Sequence, residues 1–160
     1  MDQAQWMKEA LALAEEAAAA GEIPIGAVIV DREGRIIGRG RNQREEGDPL
    51  GHAELLAIRE AAQAVGDWRL EGTTMVVTLE PCAMCAGALV NARVEKLVFG
   101  AYDPKAGFCG TLGNLVQDAR LNHRLEVVGG FEAERSRELL QRFFQQLRRR
   151  SPDAERWQSG

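Results

Sequence analysis

The chain has 160 residues, 45% of them hydrophobic and 28% charged, and a formal net charge of −4, which suits one globular domain with a sizeable core. No run approaches the roughly 20 apolar residues of a membrane span, and the first residues lack a signal-peptide layout. Three cysteines make no disulfide framework, so a reduced, cytoplasmic setting is expected.

Asp2 is a helix cap with Gln5 at the capping-box position, and Ala10, Leu11, Leu13, Ala14 and Ala17 follow on one face until Gly21 ends the run. Residues 23–30 predict a buried strand. Asp31-Arg32-Glu33-Gly34 is a turn, and 35–40 reads as the return strand of a hairpin. A polar loop over 42–51 leads to a helix that starts at His52, carries Leu55, Leu56, Ile58 and Ala62 at helical spacing, and stops near Gly66. The β-branched run 74–79 is a central strand, and Pro81 opens a small-residue helix over 82–92. Strands over 96–101 and 125–128 follow, then a helix over about 132–150 with Leu139, Leu140, Phe143, Phe144 and Leu147 on one face. Helices interleaved with about five strands predict an α/β domain of three layers, α-β-α, over 1–150, with a frayed tail at 151–160.

Two short segments carry chemistry: His52-Ala53-Glu54 and Pro81-Cys82-Ala83-Met84-Cys85. Together they offer three zinc ligands and one carboxylate. A structural zinc takes four protein ligands, whereas a catalytic zinc keeps three and leaves a position for water. Both segments sit at helix starts, where free amides and the positive dipole end favour a thiolate. Cys82 and Cys85, three apart, share one helix face. Glu54, two residues past the histidine, is placed to take a proton from an activated water and return it to a leaving group.

Other readings of these residues exist. A redox dithiol at Cys82 and Cys85 is opposed by Pro81 and by the upstream His-x-Glu. A four-ligand zinc would need Cys109 or His123, and neither has a metal-knuckle spacing. Cys109 reads instead as a small, partly buried side chain, and His123 as a loop or capping residue. Glu80 is expected to orient backbone, Trp6 and Trp68 to anchor packing, and Phe143 and Phe144 to fill a core or interface. Arg135, Arg137, Arg142, Arg148, Arg149 and Arg150 face only Glu138 over 135–150. That is a solvated basic face unless the substrate is a nucleic acid.

His-x-Glu followed by Pro-Cys-x-x-Cys resembles the signature of the zinc-dependent cytidine/deoxycytidylate deaminase superfamily. The wider match is to the bacterial tRNA-specific adenosine deaminase family. It is carried by Ile23-Pro24-Ile25-Gly26-Ala27-Val28, Asn42, Asp48-Pro49, Thr78-Leu79-Glu80, Val98-Phe99-Gly100-Ala101, Asp103-Pro104-Lys105-Ala106-Gly107 and Leu121-Asn122-His123. The resemblance spans nearly the whole chain, roughly Trp6 to Arg149.

It implies a mixed five-stranded sheet flanked by helices, a homodimer, and one zinc per subunit held by His52, Cys82 and Cys85. The implied reaction is hydrolytic deamination of the wobble adenosine of a tRNA anticodon loop to inosine. Hydroxide attacks C6 while Glu54 shuttles protons. Asn42 would hydrogen-bond the flipped base, Asp103 a neighbouring nucleotide, and Lys105 and the arginine-bearing last helix the RNA backbone. Arg41 stands where relatives often have an apolar residue, and Gly51 where they have alanine. The loop between Asn42 and His52 is a residue shorter than in some of them. A free-base or nucleoside deaminase acting on guanine or cytosine shares all four chemical residues and is the alternative. A non-catalytic zinc-stabilised RNA-binding module would leave Glu54 without a purpose.

Overall fold

Asp2 starts the first helix, α1 (Gln3–Ala19), through the expected capping box. Its carboxylate accepts the Gln5 amide at 3.0 Å, and the Gln5 side chain accepts the Asp2 amide at 2.8 Å. The computed structural model describes residues 1–150, so the tail expected at 151–160 lies outside the described residues. After α1 come β1 (Gly26–Val30), β2 (Ile36–Arg41), α2 (Ala53–Val65), β3 (Thr74–Leu79), α3 (Ala83–Asn91), β4 (Lys96–Ala101), β5 (Glu126–Val128) and α4 (Ala133–Arg150). A single 3₁₀ turn, Arg44–Glu46, interrupts the polar loop.

Two strands are shorter than expected, for identifiable reasons. Pro24 has no amide to give a ladder, and the Ile25 amide turns back to the Ile23 carbonyl at 2.8 Å, so β1 begins only at Gly26. The Leu125 amide goes to the Val116 carbonyl at 2.8 Å, which leaves β5 to start one residue later.

The five strands lie in the order β2-β1-β3-β4-β5. β1 pairs antiparallel with both β2 and β3, while β3, β4 and β5 run parallel. The sheet is therefore mixed. Ala27, Ile29, Met75, Val77, Leu97 and Phe99 point to one face, against Ala53, Ala57 and Ala61 of α2 and Ala86 and Leu89 of α3. Val28, Val30, Val76 and Val98 point to the other, against Met7, Ala10 and Leu11 of α1 and Leu139 of α4. Strand alternation thus builds two cores and the three layers read from the sequence.

Small residues fix where α2 begins. A Cβ on Gly40 would collide with the Ala53 carbonyl oxygen, and one on Gly38 with that of Ala57, so α2 lies directly on the β2 backbone. That contact sets the height of the helix start and hence of His52. β3 and β4, as parallel neighbours, end on the same side of the sheet, where ligands of open α/β sheets bind.

Candidate active site

His52 and Cys82 each sit immediately before a helix, as the N-caps of α2 and α3, rather than within the first turn. Neither side chain caps its own helix. The α2 start is closed from outside by Asn42, whose Oδ1 accepts the Ala53 amide at 3.0 Å. His52 is thereby free to turn its Nδ1 to Cys82 Sγ at 3.7 Å and Cys85 Sγ at 3.5 Å. All three ligand atoms lie within 4.8 Å of one another. Zinc bonded to sulfur at about 2.3 Å and nitrogen at about 2.0–2.1 Å in a tetrahedron sets N and S roughly 3.6 Å apart. The triad fits that ion. Cys109 and His123 are not part of the group. Cys109 is buried behind Pro81, and His123 Nε2 is 2.7 Å from the Val94 carbonyl oxygen.

The electrostatics agree. The Cys85 thiol beside it is the largest cause holding Cys82 down to about 4. The same hydrogen bond pushes Cys85 far above the ordinary thiol range. Cys82 in turn holds His52 above the usual imidazole value. A cation takes the place of such protons when it binds. Glu54 is 4% exposed, and burial pushes its carboxyl up to about 7. Its Oε1 is buried with no hydrogen-bond partner. A buried carboxylate oxygen left open beside this triad is an acceptor still lacking its donor.

His52, Cys82 and Glu54 form part of the wall of a cavity of about 300 Å³, at the low end of small-molecule sites. The remaining wall is Ile23 and Ile25, the ends of β3 and β4 with Leu79, Glu80, Tyr102 and Asp103, the turn with Pro104, Lys105 and Ala106, and Leu140, Phe144 and Arg148 of α4. Asp103 and Lys105 therefore line the site. Asn42 is not among the lining residues; it is buried next to the site, with its oxygen on the α2 start beside His52.

A second carboxylate organises the cavity's far wall. Glu80 is 2% exposed and accepts the amides of Asp103 (3.0 Å), Cys109 (3.1 Å) and Thr111 (3.0 Å) and the Thr111 hydroxyl (2.5 Å). Gly107 passes so close that any Cβ there would run into the Glu80 carboxyl group. Asp103 continues the shaping: its Oδ1 accepts the Lys105 amide at 3.0 Å and the Ala106 amide at 3.3 Å. On the other side of the site, buried Glu22 accepts the Glu45 amide with both oxygens, at 3.1 and 3.0 Å, and ties down the loop that carries Asn42.

Three expectations change in detail. Trp68 is no packing anchor: it is 55% exposed, with the Arg69 and Arg93 guanidinium groups 4.6 and 5.5 Å from its ring. Trp6 does pack, donating to the Gly34 carbonyl at 3.2 Å. Phe143 is buried, but Phe144 faces the cavity. The basic face is narrower than the sequence suggests, because Arg135 pairs with Glu132 at 3.5 Å and Arg137 with Glu134. Tyr102 was not singled out at all. Its signal is positional: it is the first residue past the carboxyl end of a parallel strand.

A mixed five-stranded sheet with a His/Cys/Cys triad at two helix starts and a buried glutamate beside it defines a base-deaminase site. A model of the MafB19-like deaminase family matches residues 1–148. The chain is 54% identical to the tRNA-specific adenosine deaminase of Bacillus subtilis (strain 168) over 150 residues, covering 93% of this chain and 92% of that protein. Among solved structures it resembles one from a study of A-to-I editing by tRNA:A34 deaminases at the wobble position of transfer RNA. There the TM-score is 0.81 at 40% identity, over 86% of this chain and 100% of that one. A guanine deaminase from Nitrosomonas europaea shares the fold, with a TM-score of 0.78 at 24% identity over 89% of this chain and 84% of that one. The chain belongs to the tRNA-specific adenosine deaminase family and is a deaminase.

Proposed function

We propose that this deaminase converts the wobble adenosine of a tRNA anticodon loop to inosine, releasing ammonia. The observation that carries the reading is the cavity itself. His52 and Cys82 of the triad and the open Glu54 share its wall with Lys105 and Arg148. A cavity of that size admits a base only when the base is unstacked, and an anticodon loop supplies one at low cost. Cations at the wall meet the phosphates on either side of it.

His52 Nδ1, Cys82 Sγ and Cys85 Sγ would hold one zinc ion, whose Lewis acidity activates water at neutral pH. Glu54 takes a proton from the attacking water and gives one to N1 of the ring. A second proton then goes to the amine as oxygen replaces nitrogen at C6. Its burial suits this exchange, since desolvation brings the carboxyl close to the operating pH. The Asn42 carbonyl is committed to Ala53, which leaves its amide nitrogen to donate to an acceptor on the base. Asp103 and the Lys105 ammonium contact the neighbouring nucleotide and its phosphate.

A second copy of the chain belongs on the outer face of α2 and α3, where Leu55, Ile58 and Met84 are only half-buried and Val65 is exposed. Light scattering should then give twice the mass of one chain, and a monomer at micromolar concentration would contradict this. The three cysteines, all free, suit a cytoplasmic setting. No described helix is long and apolar enough to cross a membrane.

The test of substrate class is a synthetic anticodon stem-loop with adenosine at the wobble position, set beside free guanine, cytosine and adenosine. Inosine in the stem-loop with no turnover of the free compounds is expected. Ammonia from a free base or nucleoside, with the stem-loop untouched, would replace this reading with the small-molecule alternative.

A further inference from the structure

Tyr102 is 53% exposed, although the strand run Leu97–Ala101 before it is buried. It also lines the cavity that holds His52, Glu54 and Phe144. An exposed aromatic ring is unremarkable when it is loose, but this one is held in place. It meets Phe99 edge to face, with centroids 5.0 Å apart and planes at 88°. Its hydroxyl lies over Gly129, where any Cβ would come within 2.7 Å, and its Cε2 lies 3.3 Å from the Cβ position of Gly130. The adjoining backbone is pinned as well, because the Asp103 amide is bonded to Glu80. Two glycines and a buried phenylalanine therefore seat the ring, while over half of it stays open to solvent beside the cavity.

On the reading of an RNA substrate given above, we propose that Tyr102 is a stacking platform for an unpaired base next to the reactive adenosine. A loop base adjoining one that has entered the pocket has lost a stacking neighbour. A rigid aromatic face restores that contact whatever the base, since every base has a π-face. Lys105 and Arg148 line the same cavity, where the phosphates flanking such a base run. The ring rather than the hydroxyl is the working part.

Stem-loops carrying 2-aminopurine immediately 5′ or 3′ of the adenosine test this against wild type, Tyr102→Phe and Tyr102→Leu. Leucine keeps apolar packing on Phe99 and Gly129 but has no π-face. With one of the two probes, wild type and Tyr102→Phe quench the fluorescence and Tyr102→Leu does not. Tyr102→Leu raises KM about 10-fold, in line with the loss of one base–aromatic stack, with kcat within about twofold and zinc content unchanged. Tyr102→Leu equal to wild type in KM and quenching would overturn the platform and leave the proposed function standing. So would a Tyr102→Phe variant as impaired as Tyr102→Leu. A wild-type protein that makes no inosine in the stem-loop removes the function and the platform with it.

Discussion

The two walls of the cavity are built in opposite ways. The metal wall comes from helix starts: His52 and Cys82 as N-caps and Cys85 one turn further, with His52 set by the glycines that let α2 lie on β2. The substrate wall comes largely from the turn after β4, latched by one buried carboxylate, Glu80 under residues 103–111; Glu22 latches the loop that leads into His52 in the same way, through the Glu45 amide. Helix starts are rigid because the helix behind them is packed. Loops have no such backing, and their amides need partners if they are to hold a shape without water. On the proposed function, the first wall would serve the chemistry and the second recognition, with the latching carboxylates holding the backbone in shape.

The comparison breaks most visibly at the metal wall. Cys85→Ser should strip zinc to below about a tenth of one equivalent and abolish turnover, because two remaining ligands no longer close a site. Metal analysis of the purified variant checks this, and full zinc occupancy would mean that the triad is not the ligand set.

The substrate wall should respond differently. Glu80→Gln replaces one of the two acceptor oxygens by an NH₂ group, which then faces two of the four donors, either the Asp103 amide and Thr111 hydroxyl or the Cys109 and Thr111 amides; this costs about 1–3 kcal/mol in a urea melt. It should raise KM for the stem-loop more than it lowers kcat, with zinc retained. Glu22→Gln keeps one acceptor oxygen for the single Glu45 amide, so the same measurements should show a smaller shift. Equal losses of zinc in Glu80→Gln and Cys85→Ser would erase the distinction between the walls.

This contrast also explains what was legible in the sequence. The metal wall is written locally: His-x-Glu and Cys-x-x-Cys place their own side chains because helical spacing is a short-range rule. The strands were legible for the same reason, apart from ends decided by Pro24 and by the long-range bond from Leu125 to Val116. The substrate wall depends on contacts between residues 22 and 45, 80 and 111, or 102 and 129, which no spacing rule contains. Lys105 and Asp103 were found only through the family resemblance. Asn42 was found the same way, yet the structure gives its oxygen to Ala53, a capping role invisible from the residue alone. Tyr102 sat between two recognised motifs and drew no notice, since its exposure follows from how β4 ends.

On the proposed mechanism three side chains hold the metal and a fourth, Glu54, moves protons without holding it. Zinc content and turnover of Glu54→Gln, measured on the same preparation, test that directly. The variant should keep about one zinc per chain, as in wild type, with inosine formation reduced on the order of 10²–10⁴-fold. Loss of zinc together with activity would make Glu54 a ligand, and retained activity would remove it from the chemistry.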